Sequence, residues 1–330
     1  MFLFCIPAKE VWFLKNREVS SRALSVWVAT AMIGPVALVA ARSSWSAVAV
    51  VATLCGVLCA AIYKAWGDRA CHSKLVNALF MLWHIYAAAE VASMASLCWP
   101  GRGSQLATSL VLIALAAISA GKGERSASAV AAILCPLCAV IFAIVLACGI
   151  GNMHWSRVEV STHPPAGSLI FVFLLPITAI VIPRKEQLSV SGFGIVGFLG
   201  TVLSIAVMGT LSLSVMLTKE DAFYEFSQSL DLFDAVQRFE SIAAVGVMLS
   251  LYAMLSLLLS GVGSMAQQIR QGSGRWGALF GAAVSAGVVI LDLRLSETTV
   301  AVVSILLWGF TPAAYGIICE KNQKKRDICS

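Results

Sequence analysis

The sequence predicts an all-α polytopic membrane protein of ten transmembrane helices, built as a five-plus-five inverted repeat with helices 1 and 6 broken at mid-depth. Three observations predict it. First, of 330 residues 59% are hydrophobic and only 12% charged, with a mean hydropathy of +0.88. A soluble domain carries about 25% charged residues, so a soluble enzyme, a disordered chain, a disulfide-stapled module and a nucleic-acid binder all fit poorly. Second, the apolar residues fall in long runs, as helices crossing a bilayer require. Third, helix breakers interrupt the runs that would open each half of the chain.

Ten segments read as spans: 22–41, 45–65, 74–98, 104–120, 127–149, 167–183, 189–217, 235–265, 274–293 and 298–318. Each approaches or exceeds the ~17–25 residues a crossing needs. Residues 1–21 form a cytoplasmic lead-in, 22–149 the first repeat, 167–318 the second, and 319–330 a basic cytoplasmic tail. The start, Met1 to Pro7, is too short for a signal-peptide core.

The basic residues supply an independent check, because Lys and Arg are retained on the cytoplasmic side. With the N-terminus inside, the inner segments hold Lys9, Lys15, Arg17 and Arg22; Lys64, Arg69 and Lys74; Lys122 and Arg125; Arg184 and Lys185; Arg270 and Arg275; and the tail's Lys321, Lys324, Lys325 and Arg326. The outer loops hold one each: Arg42, Arg102, Arg157, Lys219 and Arg294. A missed or invented helix would scramble this alternation, so both termini are expected in the cytoplasm. The same bias accounts for the net charge of +6 without a nucleic-acid partner. The tail's basic run orients the chain and suits anionic lipid headgroups. Trp45, Trp66, Trp99, Trp155 and Trp276 fall at or near span ends, where interfacial belts form.

The ten cysteines read as packing residues. Cys135 and Cys138 have CxxC spacing but lie within a span, and Cys55 and Cys59 share one helical face. No span pairs His with a carboxylate at three or four residues' spacing. His154 and His163 lie nine residues apart in one outer loop. With no nucleophile–base pattern and no phosphate-cradling glycine loop, neither an enzyme nor a metal or cofactor is expected.

The breakers are Met32-Ile33-Gly34-Pro35 in span one and Leu174-Leu175-Pro176-Ile177-Thr178 in span six. Proline removes a donor and clashes with the preceding turn, while glycine permits unusual dihedrals. Matching interruptions at positions one and six are the pattern of transporters whose ligands bind at discontinuous helices. On this reading Pro35 starts an outer half-helix. Free N–H groups near Val36 would hold a carboxylate, and unpaired carbonyls would hold an ammonium or a coupling ion, H⁺ or Na⁺. A simple kink, its freed groups met by neighbouring helices, is the competing reading. In span three, Glu90 is a candidate for coupling or substrate contact, as intramembrane carboxylates usually are, with His84 as a further coupling or polar contact and Tyr86 as a substrate-binding candidate. Arg238 and Glu240 open span eight as a structural ion pair. Asp292, Arg294 and Glu297 bracket a solvated turn. Gly194, Gly197 and Gly200, with Gly277 and Gly281, suit close helix packing.

In series these residues resemble the B subunit of the GerA-type spore germinant receptors, permease-like members of the amino acid/polyamine/organocation superfamily. Val19-Ser20-Ser21-Arg22-Ala23-Leu24 is similar to the family's Ile-Ser-x-x-Gln-Leu before span one, with Ala23 in place of Gln. Trp45 opens span two, and Lys122-Gly123-Glu124 is similar to Lys-Gly-Ile-Glu. Leu175-Pro176 falls at the broken sixth span, and Leu232 to Ser241, which holds Arg238-Phe239-Glu240, resembles the family's Phe-x-x-Arg-x-Glu entry to span eight. The resemblance covers essentially the whole chain. It implies a LeuT-like fold and a nutrient-sensing subunit of the spore inner membrane, acting with A-type and lipoprotein C-type subunits. A stand-alone H⁺- or Na⁺-coupled amino acid transporter in the cell membrane, and a scaffold whose site has decayed, are the alternatives.

Overall fold

A computed structural model describes residues 19–66, 74–98, 105–161, 166–183, 191–230, 239–270 and 273–312. The described residues form helices and the turns between them. We number the apolar helices in chain order: α1 Ser21–Ala40, α2 Trp45–Trp66, α3 Lys74–Ser93, α4 Gln105–Gly121 and α5 Glu124–Asn152. Then follow α6 Gly167–Leu174, α7 Ser191–Leu211, α8 Phe239–Arg270, α9 Gly274–Ile290 and α10 Glu297–Ser304. Three change winding: α3 ends in a 3₁₀ turn, Met94–Cys98; α6 runs on as a 3₁₀ helix, Leu175–Val181; and α10 runs on as a π-helix, Ile305–Phe310. Among the described residues six segments are long and apolar enough to cross a membrane, those of α1, α2, α3, α5, α7 and α8. The other four are shorter apolar helices.

Local chemistry sets several ends. The Ser20 hydroxyl caps α1, accepting the Ala23 N–H at 3.2 Å. The tight link from α4 to α5 turns at Gly123, whose φ of 102° suits a residue without Cβ. Outside the bundle, Lys219 pairs with Glu225 at 3.1 Å, and that hydrogen-bonded carboxylate raises the ammonium's pKa.

In hydrocarbon, lipid tails compete equally for apolar side chains. Helices are therefore held by close packing and interhelical hydrogen bonds. α8 is the hub, packed against α3, α1, α9, α4 and α5. α1 and α8 are 72% buried over their apolar windows, against 28% for α2 and α5, which places the first two in the core and the second two at the rim. Glycines set the spacing: a Cβ at Gly277 would stand 2.4 Å from that of Ala266 on α8, and one at Gly200 would stand 2.6 Å from Val36 of α1. Gly194 faces open space instead, so its expected packing role is corrected.

Hydroxyls and indoles add cross-links. Ser285 donates to the Ile85 carbonyl at 2.8 Å, Ser109 to Ala92 at 2.9 Å, and the Trp27 indole to Ala253 at 3.0 Å. Each such bond contributes about 0.6 kcal/mol on average in a membrane. The outward faces carry exposed Leu54, Val57, Leu82, Ile133 and Phe198, an apolar belt suited to lipid. Trp155 and Trp276 are also exposed, and the Trp45 indole donates to the Glu159 carbonyl at 3.0 Å. The side chains of Trp66 and Trp99 lie outside the described residues, as do the lead-in before Val19 and the basic tail.

Cys55, Cys59 and Cys138 are buried thiols within helices, as packing residues should be. Pro136 sits inside a continuous α5 with its ring exposed.

Candidate functional site

The centre of the bundle is where α1 meets α8. The sequence predicts a broken helix at Gly34-Pro35, and the structure corrects this: α1 is α-helical from Ser21 to Ala40 with Pro35 inside it. The reason lies on α8. Pro35 has no N–H for the Ala31 carbonyl one turn back. The Ser250 hydroxyl stands at that point, accepting the Gly34 N–H at 2.6 Å and donating to the Thr30 carbonyl at 2.7 Å, with the Ala31 carbonyl at 3.2 Å. Groups expected to be offered to a ligand are thus met by a side chain, and the helix need not unwind. Pro35 therefore starts no half-helix, and the Val36 amide lies within the helix.

Glycine is required at position 34. A Cβ there would lie 2.9 Å from both the Val247 carbonyl oxygen and the Ser250 Cβ. Met32, Pro35 and Val36 are buried around this contact, while Ile33 is half-buried.

In α6 the interruption is real but takes another form. At Leu175 the α-helix tightens into 3₁₀ winding, with Pro176 in its first turn. Proline cannot donate to residue 172, and its ring crowds that turn. The carbonyls around it find partners on α2: the Tyr63 hydroxyl donates to Pro176, and the Cys59 thiol to Phe173 at 3.9 Å. Leu175, Pro176, Ile177 and Thr178 are all buried. Both α6 and its 3₁₀ extension pack on α1, so the two predicted breaker segments come together. The Thr178 hydroxyl, 0% exposed, has no hydrogen-bond partner among the described residues.

Beside this segment lies an aromatic cluster that sequence reading only half detected. Trp308 of α10 is fully buried. It stacks on Phe171 of α6 at 5.8 Å between ring centroids and meets Trp83 and His84 of α3 edge-on, at 6.1 and 5.6 Å. Trp83 also stacks on Tyr86 at 5.2 Å. The His84 Nδ1 lies 2.6 Å from the Phe80 carbonyl, which can only accept, so Nδ1 carries the proton and Nε2 presents a lone pair. Among the described residues, that Nε2 and the indole N–H groups of Trp83 and Trp308 have no partner. The 3₁₀ segment reaches the same place. A Cβ at Gly261 of α8 would lie 3.1 Å from Val181 and 3.5 Å from the His84 ring. Thr178, three residues before Val181, shares its edge of the 3₁₀ helix. One acceptor, two N–H donors and one hydroxyl thus stand buried and unmet in the core, and each orphaned group costs about 1–3 kcal/mol. Trp308 and Phe171 were missed because an aromatic residue in an apolar run reads as packing.

Glu90 serves a different surface. The Tyr86 hydroxyl donates to its carboxylate and accepts the Leu295 N–H at 3.0 Å, tying α3 to the turn between α9 and α10. In that turn Arg294 and Asp292 form an exposed pair at 2.7 Å. Glu90 and His84 are therefore separate groups, as their six-residue spacing implies. Tyr86→Phe removes the bridge and keeps the ring. Amide hydrogen exchange at Leu295 is expected to speed up by about tenfold, the loss of one bond of about 1.4 kcal/mol. Unchanged exchange would show that the tie holds nothing.

Glu240 is half-buried at the start of α8, while Arg238, its expected partner, lies outside the described residues, as does His163. His154 is exposed, and no group of three or more metal-ligating side chains converges among the described residues.

No known protein-family profile matches the chain, and no curated protein matches it. Among solved structures it is similar to a nucleobase-cation-symport-1 family transporter held in a closed conformation with bromovinylhydantoin bound. The TM-score is 0.59 at 13% identity, over 88% of this chain and 76% of the other. At that identity the likeness is one of fold. It shows that the chain shares the all-helical fold of that transporter, and with its long apolar helices the chain is an integral membrane protein.

Proposed function

We propose that the protein binds an amino-acid-like nutrient at the centre of the bundle and signals its presence, as the permease-like subunit of a spore germinant receptor. It would span the membrane ten times with both ends in the cytoplasm, and it would act with A-type and lipoprotein C-type subunits. The observation that carries the reading is the set of orphaned polar atoms on Trp83, His84, Thr178 and Trp308, next to the winding change at Pro176. A zwitterion answers them: a carboxylate takes the indole N–H groups and the Thr178 hydroxyl, and an ammonium takes the His84 lone pair. Sensing asks only that ligand favour one conformer, which suits an α1 kept whole by Ser250. The serial motifs from Val19 to Glu240 support the receptor assignment.

The likeness to a transporter supports a second reading, coupled uptake through the same site, with Glu90 available to exchange a proton. Equilibrium binding of radiolabelled α-amino acids to the purified protein, alongside uptake into proteoliposomes, tests both. Saturable binding without uptake is expected. Uptake by the protein alone overturns the sensing role, and no binding with or without the partner subunits overturns both readings.

A further inference from the structure

A second feature lies on a different side of α1. Between α5 and α7 a groove of about 260 Å³ runs inward until α1 forms its floor. Ile33 and Ala37 lie in the floor, Ala139 and Ala143 in one wall, Ile195 and Leu199 in the other. Its lining contains no charged, hydroxyl or amide side chain. Small side chains create it, and Ala139, Ala143 and Ile195 are exposed at its mouth, continuous with the apolar belt.

We propose that this groove holds one acyl chain of a membrane phospholipid as a specific, exchangeable ligand. Polarity excludes water and small polar solutes, since apolar cavities of even ~150 Å³ stay dry and take hydrocarbon. Its mouth at Ala139, Ala143 and Ile195 is continuous with the lipid-facing belt, so the hydrocarbon chains of the bilayer reach the groove directly. The floor residues flank Gly34 and Pro35, about a third of a turn from the Ser250 contact. The bound chain therefore backs α1 where α8 grips it.

Wild-type protein purified in mild detergent is expected to retain one phospholipid per chain by native mass spectrometry, and fully delipidated protein to melt at a higher temperature once dioleoyl phosphatidylglycerol is added back. Ala139→Phe and Ala143→Phe, which fill the groove, lose both effects. Val140→Phe, on the exposed face of α5 and outside the groove lining, keeps both. Wild-type protein in nanodiscs of brominated-chain lipid should show bromine scattering along the groove, a reading that needs no variant to fold. Equal lipid retention in wild type and both filled variants overturns the proposal. So does bromine absent from the groove, detergent held there in preference to phospholipid, or a second copy of the chain seated on it.

Discussion

Gly34→Ala is expected to lower the stability of the bundle by about 2–3 kcal/mol and to weaken nutrient binding with it. The added methyl cannot be absorbed by rotating a flexible side chain. It would lie 2.9 Å from the Val247 carbonyl oxygen and 2.9 Å from the Ser250 Cβ, so α8 itself must retreat. Overpacking of this kind costs about 1–3 kcal/mol by itself. The retreat also pulls the Ser250 hydroxyl from the Gly34 N–H and the Thr30 carbonyl, groups with no water at that depth to replace it. Thermal unfolding in detergent, compared with Gly151→Ala, where a Cβ meets nothing within 4 Å, isolates the contact. Equal melting of the two variants would mean that α1 and α8 are not held at this point. Ser250→Ala tests the hydroxyl alone: it leaves the close approach intact and should cost about 1 kcal/mol.

This contact also marks where sequence reading stops. Gly34 and Pro35 announce that a helix is disturbed, because proline's missing donor is local chemistry. Whether the helix opens or stays whole depends on Ser250, more than two hundred positions along the chain, and no local pattern links the two. At Pro176 the outcome was closer to expectation. The donors that meet its carbonyls come from α2, and the tighter winding leaves Thr178 on the edge that runs toward His84. The six long apolar helices were legible because hydropathy over twenty residues is a property of the segment alone. Their mutual depth was not, since packing of small residues decides it: Gly200 is wedged against Val36, while Gly194, two turns earlier on α7, faces open space. The functional centre was half visible. His84, Tyr86 and Thr178 are polar residues in apolar runs and draw notice. Trp308 and Phe171 look like any other bilayer aromatic until folding stacks them.

The orphaned groups can be tested as a functional investment. Thr178→Val replaces a hydroxyl by a methyl of nearly the same shape, so the core stays filled. Thr178 is fully buried and its oxygen has no partner among the described residues. Removing an unmet buried polar group returns its desolvation cost, and the ligand-free protein should gain about 1–2 kcal/mol, read as a higher melting temperature. A residue kept only for packing would show the opposite sign or none. If the hydroxyl donates to a bound carboxylate, the same variant should bind α-amino acids about tenfold or more weakly, the loss of one hydrogen bond to a charged group. Trp308→Phe is the companion test. It removes one indole N–H while keeping an aromatic ring against Phe171, and binding should fall again, with a smaller stability gain because the smaller ring leaves space. Stabilisation paired with weakened binding at two positions on different helices fits a ligand site and no purely structural role. Stabilisation with binding untouched would move the site elsewhere in the bundle and leave these groups as a cost the fold carries for another reason.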